Sequence, residues 1–382
     1  MAILVGVLAG ALGLAIAGLP WESQAGDATT PAKRTASRTA DATAPAKRSA
    51  VERLSGRQLV GQRIVVGFDG HRIPADLRTR IRRGTVGGVI LFSGNFAGRR
   101  SARRLAHRLQ SIPRRPPLRR LALPIMLDQE GGLVKRLPGP PCCSAETMGG
   151  WPAARVSREG GDTGRSLLAT GINVDLAPVL DVARPGSAIG SEHRAFGESA
   201  KQVIRKGDAF AKGLEGAGVA ATGKHFPGLG AAPQNTDFHV QRIHLSKRTL
   251  RHVDERPYPR FRNFGGSIVM LSTAIYPAFD NDRPAALSRE LATRELRDRL
   301  QFHGASITDA LGTVSTDDIG GPKKLARLGA HAGTDLLLFT SLGDGARATN
   351  ALTQALRHHT IPRASFQRSA RRVLALRNRL TG

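Results

Sequence analysis

Cysteine is nearly absent from this chain. The only two cysteines, Cys142 and Cys143, are adjacent, and no CxxC pair or histidine cluster accompanies them. Two cysteines cannot form a disulfide framework, and this spacing does not support a structural zinc site. We expect the pair either to form a strained vicinal bridge or to stay free.

Aromatic and acidic side chains are also scarce. Aromatic residues make up 4% of the chain, and 30 carboxylates stand against 57 lysines and arginines, for a formal net charge of +27. Residues 1–55 account for only +2 of this charge, which leaves +25 on the remainder. A basic surface favours polyanions such as an anionic wall polymer or a membrane surface. The scarcity of aromatics argues against base stacking and therefore against nucleic acid. The alternative is that the arginines are spread over solvated helix faces.

The amino terminus carries a long apolar run. Residues 2–19 are all apolar or glycine, and Ser23-Gln24-Ala25 offers a small-x-small cleavage pattern. Segment 1–25 is therefore predicted to be a signal peptide or a membrane anchor, with a buried core helix as the less favoured alternative. Either of the first two makes the protein extracytoplasmic, secreted or membrane-anchored. Residues 26–52 are predicted to be a disordered linker, because DATTPAKRTA (27–36) recurs as DATAPAKRSA (41–50) without an apolar period.

From Val51 onward, short apolar runs alternate with longer helical stretches. The eight runs are 63–68, 88–92, 124–127, 172–176, 219–222, 267–271, 305–308 and 335–339. Several are apolar at consecutive positions, as expected for parallel strands covered on both faces. The helical candidates include 288–300, which Ser288 is predicted to cap. This alternation predicts an α/β fold with a single (β/α)8 (TIM) barrel over residues 53–382. No GxGxxG motif follows the first run, which argues against a dinucleotide fold.

Polar residues stand directly after several of these runs. The third run is followed by Asp128, the fourth by Asp181, the fifth by Lys224 and His225, and the seventh by Asp309. In a (β/α)8 barrel, residues at these positions point into the mouth, where the active site forms. Each has a structural alternative, because an aspartate after a strand is often a helix N-cap and a Lys-His pair is often a solvated turn. Their joint occurrence predicts one site.

Six segments carry more specific motifs. They are LDQEGGLVKRLPG (127–139), GINVDLAPVLDV (171–182), RAFGES (194–199), GKHFPGLG…TDFH (223–239), DRPAALS (282–288) and SITDAL (306–311). Together they resemble family 3 glycoside hydrolases, and more narrowly their β-N-acetylglucosaminidase (NagZ-type) branch. The resemblance runs from about residue 55 to the C-terminus, and KHFPG followed by Asp-x-His is specific to that branch. It implies a single catalytic domain.

The resemblance also implies a mechanism. It is similar to that of a retaining exo-β-N-acetylhexosaminidase, which removes terminal β-linked N-acetylglucosamine from peptidoglycan-type glycans. Asp309 would be the nucleophile that forms a covalent glycosyl-enzyme intermediate. His239, oriented by Asp237, would be the acid/base, because imidazole titrates near neutral pH; the alternative is that His239 is a surface-loop side chain without function. The sugar would be bound by Asp128, Arg136, Arg194, Lys224 and His225. The resemblance implies no metal and no organic cofactor.

Three residues depart from the usual family pattern. Leu229 replaces the second histidine of KHFPGHG, Leu133 stands where arginine is common, and Thr313 stands where methionine is frequent. None of them is assigned to the chemistry, so they bear on substrate choice and loop closure.

Two other functions stay open. A β-glucosidase or β-xylosidase of the same superfamily is possible in principle, but the Asp237-x-His239 dyad argues against it. A non-catalytic, basic wall-binding barrel is the second alternative, and the retained nucleophile and dyad argue against that.

Overall fold

The computed structural model describes residues 49–380. The predicted signal or anchor segment 1–25 and residues 26–48 of the predicted linker lie outside the described residues. Within 49–380, no helix combines the length and apolar character needed to cross a membrane. The folded body already includes Val51, which is buried in the core.

Eight parallel strands form the centre of the described structure. In chain order they are β1 (Ile64–Val66), β2 (Gly88–Ile90), β3 (Ile125–Leu127), β4 (Val174–Asp175), β5 (Ala220–Phe226), β6 (Ile268–Leu271), β7 (Ala305–Thr308) and β8 (Leu337–Phe339). Each strand from β1 to β6 pairs with the next, and β1 also pairs with β8, so β7 and β8 are the two ends of the sheet. The isolated parallel bridges Ile307–Leu336 and Leu311–Phe339 span the remaining gap between β7 and β8, so the barrel is nearly closed. All eight predicted strands are confirmed.

A helix follows each strand on the outside of the barrel. These helices are α1 (Ala75–Arg83), α2 (Arg99–Gln110), α3 (Ala153–Leu168), α4 (Ala200–Gly216), α5 (Pro257–Asn263), α6 (Glu290–Arg299, π-helical), α7 (Pro322–Ala332) and α8 (Leu342–Arg357). A ninth helix, α9 (Arg363–Arg379), ends the described chain, and the short helix Gly56–Gly61 precedes β1. Shorter turns lie at Ser93–Asn95, Ala145–Gly149, Ala188–Ser191, Lys247–Thr249, Leu250–Asp254, Ala285–Leu287 and Val314–Asp317. This alternation is the order of a TIM-like barrel.

The strands are apolar at consecutive positions because both of their faces are covered. One buried cluster joins residues from all eight strands, among them Val65, Met126, Ile268 and Leu338. A larger cluster fills the space between the strands and the helices. Burying each such side chain contributes about 1.5–3 kcal/mol, which stabilises the sheet from both sides. Val373 of α9 belongs to the inner cluster, so α9 packs against the barrel interior.

Helix α6 begins differently from the prediction. Its N-cap is Arg289 rather than Ser288, and no side chain caps it. The predicted cap is wrong because the chain makes the turn Ala285–Leu287 just before the helix and leaves Ser288 extended and fully buried. Leu291 and Leu296 of this helix are fully buried, so the helix packs on the barrel through its leucines.

The loops after the strands build the mouth of the barrel. After β3, Gln129–Gly131 pairs antiparallel with Val134–Lys135, and after β6, Ile275–Tyr276 pairs antiparallel with Asp280–Pro284. The first hairpin depends on Gly131, which has a φ of +95° and no room for a Cβ against the carbonyl oxygen of Cys143. Cys142 and Cys143 are free thiols, the second of the two states expected for the pair.

Candidate active site

A cleft of about 460 Å³ opens where the strands end. Seven of the eight predicted site residues line it: Asp128, Arg136, Arg194, Lys224, His225, Asp237 and Asp309. They come from the segments that follow β3, from the loop between β4 and α4, from β5 and its loop, and from the end of β7. The structure therefore brings together side chains that are up to 181 residues apart in the sequence, from Asp128 to Asp309.

His239 is the predicted site residue that does not line the cleft. It is exposed, and its backbone N–H donates to the carbonyl oxygen of Asn235 at 3.1 Å. Asp237 and Phe238, the two residues that precede it in the chain, do line the cleft. The loop that carries all three is attached to the barrel through Asn235, whose side-chain amide donates to Oε1 of Glu192 at 2.9 Å. The acid/base candidate thus lies beside the mouth, on a loop that partly covers it.

Lys224 and Arg194 are embedded in a network of carboxylates. Nζ of Lys224 lies 2.8 Å from Oδ1 of Asp128 and 2.6 Å from Oε1 of Glu130. Arg194 forms a two-pronged contact with Glu130, at 2.9 Å from each carboxylate oxygen, and a third contact with Glu192 at 3.0 Å. Bidentate pairs of this kind are both strong and geometrically specific. The network fixes two positive side chains at the edge of the cleft.

The charges in this network control one another's protonation. Burial alone would raise the pKa of Glu130, but the charges and hydrogen bonds of Arg194 and Lys224 outweigh it and hold that pKa well below its usual range. Burial would likewise lower the pKa of Lys224, but Asp128 and Glu130 raise it above its usual value. Glu130 and Lys224 are therefore both charged at neutral pH.

His225 is held by a buried carboxylate. Its Nδ1 lies 2.7 Å from Oδ2 of Asp181, and Oδ1 of Asp181 accepts from the backbone N–H groups of His225 and Leu229 at 3.1 and 2.7 Å. Because Nδ1 is occupied in this way, Nε2 is the ring nitrogen that is available to a ligand in the cleft.

Asp309 stands at the end of β7 and is partly exposed in the cleft. Its backbone N–H donates to the carbonyl oxygen of Leu271 at 2.9 Å, which ties it to the end of β6. Its Oδ1 accepts from the backbone N–H of Ala310 at 2.8 Å. A carboxylate that is anchored by neighbouring strands yet open to the cleft can approach a bound ligand with little rearrangement.

The pKa of Asp237 is unusually high for an aspartate. The residue as a whole is exposed, but it borders the cleft, where loss of hydration and then the negative charge of Asp309 raise its pKa to about 6. The carboxylates of Asp237 and Asp309 therefore interact across the same cleft.

Three carboxylates of the site carried no prediction: Glu130, Asp175 and Glu192. Asp181 was predicted to point into the mouth because it follows the fourth strand, but it was given no role. Glu130 lies in the hairpin beyond β3, and Glu192 lies in an irregular loop, so neither carries a positional signal. Asp175 belongs to β4 and accepts from the backbone N–H of Gln129 at 3.0 Å.

The three residues that depart from the family pattern all border the cleft. Leu229 is buried, whereas Leu133 is 72% exposed. Phe238, on the opposite loop, is 67% exposed, so the rim of the cleft is apolar on two sides.

Sequence comparisons identify the family of this chain. A family model for the N terminal domain of glycosyl hydrolase family 3 matches residues 55–376. The chain is 37% identical over 329 residues to an uncharacterized secreted glycosyl hydrolase of Arthroderma benhamiae, covering 84% of this chain and 93% of that protein. It is 32% identical over 285 residues to the beta-hexosaminidase of Alkalilimnicola ehrlichii, covering 72% of this chain and 80% of that protein.

Solved structures show the same relationship. The beta-N-acetylhexosaminidase of Beutenbergia cavernae superposes with a TM-score of 0.77 at 32% identity, covering 84% of this chain and 98% of that one. The family 3 beta-N-acetylglucosaminidase of Paenibacillus sp. superposes with a TM-score of 0.79 at 31% identity, covering 86% of this chain and 63% of that one. This chain therefore spans just under two thirds of the Paenibacillus protein.

A TIM-like barrel with carboxylates, fixed cations and a held imidazole at its mouth defines, together with these matches, an enzyme of the glycoside hydrolase class. The chain belongs to glycoside hydrolase family 3, and the resemblance seen in its motifs is confirmed.

Proposed function

We propose that this protein is a retaining exo-β-N-acetylhexosaminidase that removes terminal β-linked N-acetylglucosamine. The observation that carries the proposal is the convergence of Asp309 with Asp128, Arg194, Lys224 and His225 in one cleft. The relatives named as beta-hexosaminidase and beta-N-acetylglucosaminidase support the choice of substrate.

In the first step, Asp309 attacks the anomeric carbon and the bond to the leaving oxygen breaks. The nucleophile must be ionised at neutral pH, which suits an aspartate, and the product of this step is a glycosyl ester of Asp309. Asp128 accepts hydrogen bonds from the sugar hydroxyls, and Arg136, Arg194, Lys224 and His225 donate to the hydroxyls and the N-acetyl carbonyl. Since these side chains are already held by ion pairs and hydrogen bonds, little ordering remains to be done when the sugar binds.

The leaving oxygen takes its proton from His239, which then removes a proton from the water that hydrolyses the ester. Asp237 orients the ring and stabilises its charged form. For this, the loop 234–239 moves toward the sugar, so that His239 passes from its exposed position into the cleft. Closure of a loop over the substrate also excludes bulk water from the reacting centre.

The natural substrate is proposed to be a peptidoglycan-type glycan met outside the cytoplasm. The apolar segment 1–25 supports export, whether it is cleaved or retained as an anchor, and the Arthroderma benhamiae relative is named as secreted.

A panel of aryl β-glycosides, assayed with and without phosphate, tests the function. We expect kcat/KM for the N-acetylglucosaminide to exceed that for the glucoside or xyloside by at least roughly 100-fold, because the donors around the cleft would be left unpaired by a sugar that lacks the acetamido group. Phosphate should leave the rate and the products unchanged. Preference for the glucoside or xyloside would favour the other branches of the family. Absence of turnover for every member of the panel would favour a non-catalytic barrel.

The acid/base pair predicts a particular pH profile. Because the pKa of Asp237 is raised to about 6, kcat/KM for the aryl N-acetylglucosaminide should fall on the acid side with an apparent pKa near 6, as the carboxylate that supports the imidazolium is lost. Asp237→Asn should lower kcat/KM and abolish this acidic limb. Asp208→Asn is the matched control, since burial also raises the pKa of Asp208 to about 6 although it lies on α4 and does not line the cleft.

The same raised pKa has a consequence for stability. A carboxyl group whose folded-state pKa lies above its ordinary value stabilises the fold in its protonated form, and this contribution is lost as the pH rises through about 6. Asp237→Asn stays neutral, so thermal unfolding should show it to be more stable than the wild type above pH 6 and about equal to it near pH 4. In the pH profile of kcat/KM, an acidic limb that is unchanged in Asp237→Asn would contradict the assignment of Asp237 to the acid/base pair.

A further inference from the structure

The positive charge of this protein is concentrated in one part of the barrel. Residues 70–127 contain fourteen arginines, no lysine and a single carboxylate, Asp76. The net charge of this segment, +13, is nearly half of the formal net charge of +27. The segment begins after β1, contains β2 and β3, and includes both of the outer helices α1 and α2. The arginines are therefore not spread evenly over the solvated helix faces.

Helix α2 presents an outward face made almost entirely of arginine. Its inward face packs Ala102, Leu105, Ala106 and Leu109 into the core. Its outward face carries Arg100, Arg103, Arg104, His107 and Arg108, all exposed. Residues three and four apart on a helix are neighbours, so the four arginines repel one another along the helix. This repulsion disfavours the free state and is relieved by a bound anion.

Neighbouring segments extend the same surface. Arg82 and Arg83 end helix α1, and Arg115 lies beside them because its backbone N–H donates to the carbonyl oxygen of Arg82 at 3.0 Å. We define the α1–α2 basic surface as nine exposed arginines: Arg82, Arg83, Arg100, Arg103, Arg104, Arg108, Arg115, Arg119 and Arg120.

None of these nine arginines forms an ion pair with a carboxylate of residues 49–380. Several arginines elsewhere in the barrel do form such pairs. Arg184 pairs with Asp254 at 2.7 Å, and Arg372 pairs with Asp335 at 2.9 Å. The α1–α2 basic surface is thus a positive field that the folded body itself does not neutralise.

The chemistry of this surface selects its partner. A guanidinium group offers paired donors that match the oxygens of a phosphate. The exposed large hydrophobic side chains of the described chain are Leu133, Leu168, Phe238, Val240 and Val314, and all lie outside residues 70–127. A membrane-seeking surface usually adds such side chains to its cations so that they insert among the lipids. Residues 70–127 also contain no tryptophan or tyrosine on which nucleic acid bases could stack.

We propose that the α1–α2 basic surface binds a linear, phosphate-rich polyanion of the kind found as an anionic wall polymer. None of its nine arginines lines the catalytic cleft. The polymer would bind the enzyme at the α1–α2 basic surface, and the mouth of the barrel would stay open to the glycan substrate. Binding here is separate from the proposed hydrolysis, so turnover of a small aryl glycoside should not depend on it.

Binding of linear inorganic polyphosphate to the full chain tests the proposal. The test variant is R100Q/R103Q/R104Q/R108Q, in which glutamine preserves helix propensity. The matched control is R205Q/R248Q/R256Q/R289Q, which removes four exposed arginines from the α4–α6 side of the barrel and changes the net charge equally.

At 50 mM salt, the test variant should bind polyphosphate at least roughly tenfold more weakly than the wild type, and the control variant less than threefold more weakly. Each lost phosphate contact removes about 0.7 from the slope of log affinity against log salt concentration, so the slope should fall by about 3 in the test variant. Both variants should keep wild-type turnover of the aryl glycoside.

Equal loss of binding in the two variants would overturn the proposal, because the effect would then follow total charge rather than position. Tighter binding of the wild type to phosphatidylglycerol vesicles than to polyphosphate, lost in the test variant, would assign the surface to a membrane instead. Wild-type polyphosphate binding by the test variant would also overturn the proposal. Loss of aryl glycoside turnover in the test variant alone would contradict the proposed separation of the two sites.

Discussion

Replacement of Asp309 by alanine should lower kcat/KM for an aryl β-N-acetylglucosaminide by roughly 10⁴-fold or more, the order expected when the covalent route of an enzyme is removed. Asp309 is the carboxylate that ends β7 at the mouth, and the space left by its side chain opens directly into the cleft. A small anion such as azide can enter that space and attack the anomeric carbon from the face that Asp309 would use. The variant should therefore regain measurable turnover in azide and yield the α-glycosyl azide, with release of the aryl alcohol.

The stereochemistry of this rescue separates a nucleophile from a merely structural aspartate. Asp317→Ala is the matched control, because Asp317 is an exposed aspartate of the same loop that does not line the cleft. It should keep kcat/KM within about threefold of the wild type, as is usual for a surface substitution. Full activity of Asp309→Ala, or rescue that yields a β-azide, would contradict the role of Asp309.

The arrangement of strands was accessible from the sequence because burial on both faces leaves a local signal. A half-exposed strand alternates apolar and polar residues, whereas Ile268–Leu271 is apolar at every position, as expected for a strand covered on both faces. Once the strands are placed, the rule that active-site residues follow strand ends brings Asp128, Lys224 and Asp309 together without any tertiary information. The wrong prediction that Ser288 caps helix α6 shows the limit of such local rules. The three-residue turn just before Ser288 places its side chain in the core instead.

The contacts among the site residues were not accessible in the same way. Arg194 lies in an irregular loop, and its partner Glu130 lies 64 residues earlier, in a hairpin whose geometry depends on a left-handed glycine. The position of His239 depends on the hydrogen bond between Asn235 and Glu192, which no periodicity can indicate. Long-range pairing of charged side chains is a property of the packed barrel rather than of any segment.

Substitution of Glu130 by glutamine should have the largest effect on stability. The Glu130 carboxylate is buried between Lys224 and Arg194, and glutamine keeps its shape while removing its charge. Removing one partner of a buried ion pair costs about 3–5 kcal/mol, because the remaining charges stay buried without compensation. We therefore expect a loss of that size in the free energy of unfolding at pH 7, measured by denaturant titration. The sugar-binding positions of Lys224 and Arg194 should loosen as well, so KM should rise in the same variant.

The pH dependence of this loss distinguishes charge from packing. The folded-state pKa of Glu130 lies well below its ordinary value, so its contribution is present above that ordinary value of 4.5 and disappears as the pH falls toward the folded-state pKa. The difference in stability between the wild type and Glu130→Gln should accordingly shrink below pH 4.5. Glu146→Gln is the control, since Glu146 pairs with His193 at 2.7 Å on the surface and an exposed pair contributes less than about 1 kcal/mol. A loss in Glu130→Gln that is small, or that is independent of pH, would mean that the Lys224–Glu130–Arg194 contacts do not hold the site together.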